Sequence, residues 1–258
     1  MNDDTKSEKS LQHFKMLWQR YGTIGIFLLL IIILTIIKPS AVFTPSSIVQ
    51  ILRQSAVNIL LSLGEFFAIL IAGIDLSVGA VAGLTGMIAA KLMVAGIPVG
   101  AAIFVCILAG TAIGWINGTL VNKTGLHPFI ITLGTQSIFF GIMLVVSNSR
   151  NVFGFPASFS TLMNASLLFV PVPVVIALVV ALFCWFFTVK TKAGRNVYAL
   201  GGDIQSAWFS GVNVDLHRLI VFMISGTCSG IAGIVLLGRL GAAAPTAGTG
   251  YETYAIAA

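Results

Sequence analysis

The sequence predicts an all-α fold, a polytopic bundle of transmembrane helices with about seven apolar segments. Three observations carry that prediction. Hydrophobic residues fill 57% of the 258 positions and charged residues only 9%, where an ordinary soluble domain carries about 25% charge. Mean hydropathy is +1.02. Apolar runs close to the ~20 residues that span hydrocarbon recur along the chain. Strands in an open sheet would leave backbone groups unpaired in lipid, so the runs are read as helices. The same composition excludes a soluble cytosolic enzyme, a disordered chain and a secreted disulfide scaffold. No soluble fold of this length could bury so many apolar residues.

Taken in order, residues 1–20 form a polar tail of mixed charge, expected to be cytoplasmic, and 21–258 form one transmembrane domain. The first run, 22–37, ends at Lys38-Pro39-Ser40. A charged segment before an apolar run resembles a signal peptide. No small-residue cleavage site follows, so the run is read as a retained span. Further runs lie at 54–73, 77–95, 99–121, 128–146, 167–189 and 219–238.

Charge sets the orientation. With a cytoplasmic N-terminus and seven crossings, Lys6, Lys9, Lys15, Arg20, Lys123, Lys190, Lys192, Arg195 and Arg218 fall inside. Lys38, Arg53, Arg150 and Arg239 fall outside, and Lys91 lies within a span. The excess of inner cations supports that arrangement. The segment 74–98 is either a full crossing or re-entrant. The net charge of +6 therefore reads as orientation, and no nucleic-acid partner is expected, because the basic residues lie between apolar runs and form no patch. Membrane lipid is the expected surround.

Small residues recur four apart at Gly79 and Gly83, at Gly110, Gly114 and Gly118, and at Gly226 and Gly230. Such spacing lets helices approach closely in lipid. The triplet Gly79, Gly83, Gly86 has the same spacing as Gly226, Gly230, Gly233. An internal repeat and coincidence both account for it.

Acidic groups inside apolar runs are the sharpest chemical signal, because a charge near the bilayer centre costs at least ~2.5 kcal/mol. Glu65 and Asp75 are the two candidates. Asp75 and Ser77 follow Gly73, where one run ends and the next helix begins. They either cap orphan N–H groups or line a hydrophilic path at a broken helix, and the two roles are compatible. Asn58, two helical turns before Glu65, shares its face. That face suits a polar conduit or an interhelical hydrogen bond equally well.

Residues 190–218 form the longest polar stretch after the tail. Trp208 and Phe209 within it are read as membrane-interface anchors or as a knob that docks into another protein. Cys106, Cys184 and Cys228 sit in apolar runs without a C-x-x-C pair and read as small hydrophobes. His13, His127 and His217 have no metal-site spacing. The Gly-rich segment 238–250 lacks Lys, so it is no phosphate loop, and neither G-x-S-x-G nor H-E-x-x-H occurs. No catalytic residue, metal or cofactor is expected, and any ATP hydrolysis belongs to another chain.

Five stretches resemble the ribose-type sugar permeases, the membrane subunits of bacterial ABC importers. They are Gly73-Ile74-Asp75-Leu76-Ser77-Val78-Gly79, Gly114-Trp115-Ile116-Asn117-Gly118, Pro128-Phe129-Ile130-Ile131-Thr132-Leu133-Gly134, Gly194-Arg195 with Tyr198-Ala199-Leu200-Gly201-Gly202, and Pro245 to Glu252. The resemblance covers about residues 20–258. It implies a multi-pass protein of the bacterial inner membrane that moves a ribose- or allose-like monosaccharide. Its implied partners are a second permease chain, a cytoplasmic ATP-binding subunit and a periplasmic sugar-binding protein. The candidate pathway residues are Asn58 and Glu65 on their shared face, Gly73, Asp75 and Ser77 at the helix break, and Asn117. Gln205-Ser206-Ala207 with Gly211 is similar to the family's E-A-A-x-x-x-G coupling loop. The implied coupling residues are thus Gly194, Arg195, Gly201, Gly202, Asp203, Gln205, Ser206, Ala207, Trp208, Phe209 and Gly211. Gln205 and Ser206 replace the usual Glu and Ala, and Trp208 stands where Arg is common. Family members usually continue through further spans, so a C-terminally truncated chain is expected. Two other readings stay open: an importer for a non-sugar small molecule, and an ion-coupled secondary carrier using Glu65 and Asp75.

Overall fold

The computed structural model describes residues 3–38 and 44–258, with side chains from Lys15 onward apart from Leu17 and Arg20. Pro39 and Ser40, read as terminators of the first run, lie outside the described residues, as do the side chains of Lys6, Lys9, His13 and Arg20. The chain divides into two units, Met1–Ile51 and Leu52–Ala258.

In the first unit the polar tail and the first apolar run form one helix, α1 (Asp3–Ile37), whose apolar part is Tyr21–Ile37. Helix α2 (Pro45–Leu70) begins in this unit. Proline suits a first helical position, where its missing N–H is not needed. The Thr44 hydroxyl accepts from the Ser47 N–H at 3.2 Å and closes the helix start.

The second unit continues with α3 (Val78–Val94), α4 (Val99–Thr124), α5 (Pro128–Ser147) and α6 (Ala157–Asn164). A hairpin of β1 (Ser166–Leu167) and β2 (Val170–Pro171) leads to α7 (Val172–Lys190). Then come α8 (Lys192–Gly202), α9 (Ile204–Phe209), α10 (Val214–Leu240) and α11 (Tyr251–Ala257). Among the described residues, α4, α5, α7 and α10 are long and apolar enough to cross a membrane, and Tyr21–Ile37 and Val78–Val94 are shorter apolar helices. The fold is the all-α bundle that the sequence predicts.

The expected run 167–189 starts late. Its first residues form the hairpin, paired Ser166 to Pro171 and Leu167 to Val170, with Leu168 and Phe169 at the tip in left-handed backbone (φ 48° and 72°). Pro171 sits at the N-cap of α7, where a residue without an N–H sets the helix start.

Helix α10 is the hub. Its apolar window is 67% buried, against 22–28% in α4, α5 and α7. Close backbone approach makes this possible. A Cβ on Gly110 would collide with the Gly226 carbonyl, and one on Gly226 with the Gly110 carbonyl, so α4 and α10 cross with nothing between them. Gly86 and Gly233 do the same for α3 and α10. The matched glycine triplets otherwise serve different neighbours: Gly79 and Gly83 face the carbonyls of Gly248 and Ala247, while Gly226 and Gly230 face α4.

Candidate functional site

Helix α2 stops at Leu70 in a six-residue C-cap. The Gly73 N–H bonds to the Ala68 carbonyl and the Ala72 N–H to the Ile69 carbonyl, both at 2.9 Å. This is the Schellman arrangement, whose left-handed position usually holds glycine. Here Ala72 holds it, at φ 57°. Gly73 follows because a Cβ there would press on the Ala68 carbonyl and the Pro128 ring. The chain then runs non-helically until α3 begins at Val78.

Four of the expected pathway residues meet at this break. The Asp75 N–H donates to both carboxyl oxygens of Glu65 at 3.1 and 3.2 Å. Asp75 Oδ1 accepts from the Ser77 N–H at 3.0 Å and from the Ser77 hydroxyl at 2.6 Å. Asp75 Oδ2 accepts from the Ser225 hydroxyl at 2.7 Å. The Asn117 amide donates to Ser77 Oγ at 2.9 Å. Glu65, Ser77 and Ser225 are 0% exposed, Asn117 1% and Asp75 2%. The network is closed to solvent and joins α2, α4 and α10 through the break. Asp75 bonds within its own turn and to Ser225, and Ser77, the N-cap residue of α3, makes no side-chain cap bond to that helix.

The break is also pinned from α5. The Thr132 hydroxyl donates to the Ile74 carbonyl and accepts from the Leu76 N–H, each at 3.1 Å. Thr132 and Ser225 are not among the residues singled out from the sequence. Thr132 lies inside a quoted motif without an assigned role. Ser225 is one hydroxyl among several in α10, and only the fold selects it.

Asn58 stands apart. With Ser55 and Ser62 it lines an open cavity of about 660 Å³ on the outer side of α2, walled by Phe66 and Ile69 and by Ala255 and Ile256. Asn58 and Glu65 lie two turns apart, but Glu65 is enclosed by the break.

In the polar stretch, each short element has its own cap. Thr191 Oγ1 accepts from the Gly194 N–H at 3.0 Å, and Asp203 Oδ1 accepts from the Ser206 N–H at 2.7 Å. That exposed bond, chiefly, holds the Asp203 carboxyl below its usual range. Val197, Leu200 and Ala207 are buried against Phe67 and Ile71. Gly201 lies so close to the Leu70 carbonyl that a Cβ would collide with it, and Gly194 abuts Phe187 and Thr188 in the same way. Gly211 takes φ 81° and ends the α9 turn. Trp208 and Phe209 stack edge to face at 5.0 Å and are 62% and 79% exposed. Arg195, Gly202 and Gln205 are likewise exposed.

The five quoted stretches thus converge on the break. Gly73 meets Pro128, Thr132 pins Ile74, Gly79 meets Gly248, Asn117 holds Ser77, and Gly201 meets Leu70. The break between α2 and α3 is the polar centre of an apolar helical bundle, and similarity to known proteins assigns that bundle to membrane transport. A family model described as branched-chain amino acid transport system, permease component, matches residues 47–258, and the chain belongs to that family. It is 53% identical to the D-allose transport system permease protein AlsC of Escherichia coli (strain K12), over 97% of this chain and 77% of that protein. It is 40% identical to the ribose import permease protein RbsC of Haemophilus influenzae, over 90% of this chain and 72% of the other. It is 31% identical to the galactose/methyl galactoside import permease protein MglC of Salmonella typhimurium, over 93% and 77%. No solved structure matches the chain.

Proposed function

We propose that the chain is the membrane-spanning subunit of an ATP-driven importer for an allose- or ribose-like monosaccharide. The observation that carries this reading is the 53% identity, across nearly the whole chain, to a permease named for D-allose transport. The hydrolysis of ATP then belongs to a cytoplasmic ATP-binding subunit. A periplasmic binding protein delivers the sugar, and a second permease chain completes the pathway. The distribution of Lys and Arg supports a cytoplasmic N-terminus in the bacterial inner membrane.

In this reading the segment 190–218 receives the ATPase. The exposed Trp208 and Phe209 pair supplies an aromatic anchor of the kind that dominates interface energetics. Residues Gly194, Arg195, Gly201, Gly202, Asp203, Gln205, Ser206, Ala207 and Gly211 shape and present it. The seat of Gly201 on the Leu70 carbonyl gives a direct mechanical link from this segment to the end of α2. Glu65, Gly73, Asp75, Ser77 and Asn117 form the closed wall of the pathway at the break, and Asn58 faces its open side.

Uptake of labelled D-allose and D-ribose in cells with the proton gradient collapsed and ATP maintained tests the reading. Persistent uptake is expected. Uptake that vanishes with the gradient overturns it in favour of an ion-coupled carrier.

A further inference from the structure

A crevice of about 430 Å³ opens between α4, α7 and α10, and the last turn of α6 walls one end of it. Ile107, Met163, Val175, Ile176, Val179 and Ile231 are among its walls, and every lining side chain is Ile, Leu, Met or Val. Water finds no partner there, and a polar solute would give up its hydration without a hydrogen bond in return. Left empty, the walls would forgo the dispersion contacts that close packing supplies. The crevice is continuous with the outer surface of the bundle, because Val179 belongs to both and the neighbouring Leu178, Leu182 and Phe183 of α7 are exposed. In a membrane, that surface meets hydrocarbon, and hydrocarbon is the occupant the lining selects.

The depth of the crevice fits one leaflet. The stretch of α7 along it, Val172 to Val180, rises ~12 Å, against ~15 Å for half of a ~30 Å hydrocarbon core. The end at Val172 suits a head group. The Val172 N–H bonds to the Ala165 carbonyl at 3.0 Å, which holds the start of α7 beside the end of α6. There Arg53 donates from Nη1 to Asn164 Oδ1 and from Nη2 to the Asn164 carbonyl, each at 2.8 Å and at the surface. Each Nη keeps a second N–H, and a guanidinium fork suits a phosphodiester. No charged residue occurs from Asn151 to Val189, so no carboxylate of that stretch competes for Arg53. The hairpin at this end presents Leu168 and Phe169, 85% and 96% exposed, as an apolar tip of the kind that marks contact with a membrane.

We propose that this crevice binds a glycerophospholipid, with one acyl chain between α4, α7 and α10 and the phosphodiester on Arg53.

The test uses the full chain in nanodiscs of phosphatidylethanolamine and phosphatidylglycerol, with a trace of phosphatidylglycerol that carries a diazirine on one acyl chain. After illumination, adducts are located by peptide mass spectrometry. Adducts are expected on Ile231 of α10, a helix otherwise enclosed by its neighbours. Val175→Trp, which fills the crevice, is expected to reduce them several-fold while adducts on Leu182 and Phe183 stay unchanged. Absence of adducts on α10 overturns the site, because another segment or a second copy of the chain then fills it. Undiminished adducts on α10 in Val175→Trp also overturn it. Should Val175→Trp not fold, Val179→Trp at the same wall gives the same readout. A diacylglycerol with the same diazirine chain separates head from tail. Arg53→Gln is expected to lower the labelling of α10 by the phospholipid several-fold and to leave labelling by the diacylglycerol unchanged. Undiminished labelling of Arg53→Gln by the phospholipid overturns the phosphate seat. An equal loss with both probes overturns it as well, because Arg53 then serves only to hold α6.

Discussion

Two polar regions lie within a few turns of each other on α2, and they are built in opposite ways. At the break, every carboxyl oxygen of Glu65 and Asp75 accepts a hydrogen bond and the group is sealed. Farther back along α2, Asn58 Oδ1 and Ser62 Oγ are buried without a hydrogen-bond partner. Polarity inside an apolar chain therefore does not by itself mark a conduit. The two carboxyls are fully saturated, whereas amide and hydroxyl oxygens can stay unpartnered in either region, as Asn117 Oδ1 does at the break.

Substitutions at the two regions should separate them. The largest effect is expected at Asp75→Ala. It strips the acceptors from the Ser77 N–H, the Ser77 hydroxyl and the Ser225 hydroxyl, at about 1–3 kcal/mol for each buried group left unpaired. Fluorescence-detected size-exclusion chromatography should show loss of folded protein. A monodisperse variant with an unchanged melting temperature would remove the structural role of the hub. Next comes Gly201→Ala, which forces α8 off the Leu70 carbonyl at roughly 1–3 kcal/mol of overpacking. The chain should stay in the membrane while ATP-driven uptake falls about tenfold, the equivalent of ~1.4 kcal/mol. Full uptake would break the proposed link between the polar stretch and α2.

A smaller effect is expected at Asn58→Leu. Asn58 Oδ1 is buried without a partner, so its removal strips no hydrogen bond from that atom and the melting temperature should stay unchanged or rise slightly. A fall in stability comparable to that of Asp75→Ala would erase the contrast between the two regions.

The smallest effect concerns Asp203. Its carboxyl is held low chiefly by the Ser206 N–H. A depressed carboxylate contributes above its unfolded value, near ~3.9, and the contribution is lost as pH falls through the lower folded value. Exchange of the Ser206 amide hydrogen should therefore show no Asp203-dependent step at neutral pH and should quicken only in strong acid. A step near neutrality would exclude this capping bond as its basis.

The helical class was legible because composition and run length are local properties, and the importance of Glu65 and Asp75 was legible because acids in lipid are costly. What they touch was not. Their role as a hub depends on Ser225, 150 positions away in sequence from Asp75, and on Thr132 from a third helix, and nothing in the spacing of the runs selects either. The hairpin before α7 was missed for a related reason. Leu167, Leu168 and Phe169 read as the start of an apolar run, and hydropathy has no term for the positive φ of Leu168 and Phe169. Asn58 and Glu65 share a helical phase, but only Glu65 is fully buried, a difference that phase alone does not give.

The crossings of α10 with α3 and α4 place backbone directly on backbone at Gly86, Gly110, Gly226 and Gly233. A joint of this kind has no side chain to give way, so any larger residue at these positions must push the helices apart. The three helices form the most closely packed part of the bundle. By contrast, the interrupted end of α2 meets the polar stretch backbone to backbone at a single seat, Gly201 on the Leu70 carbonyl, a contact one methyl group would break.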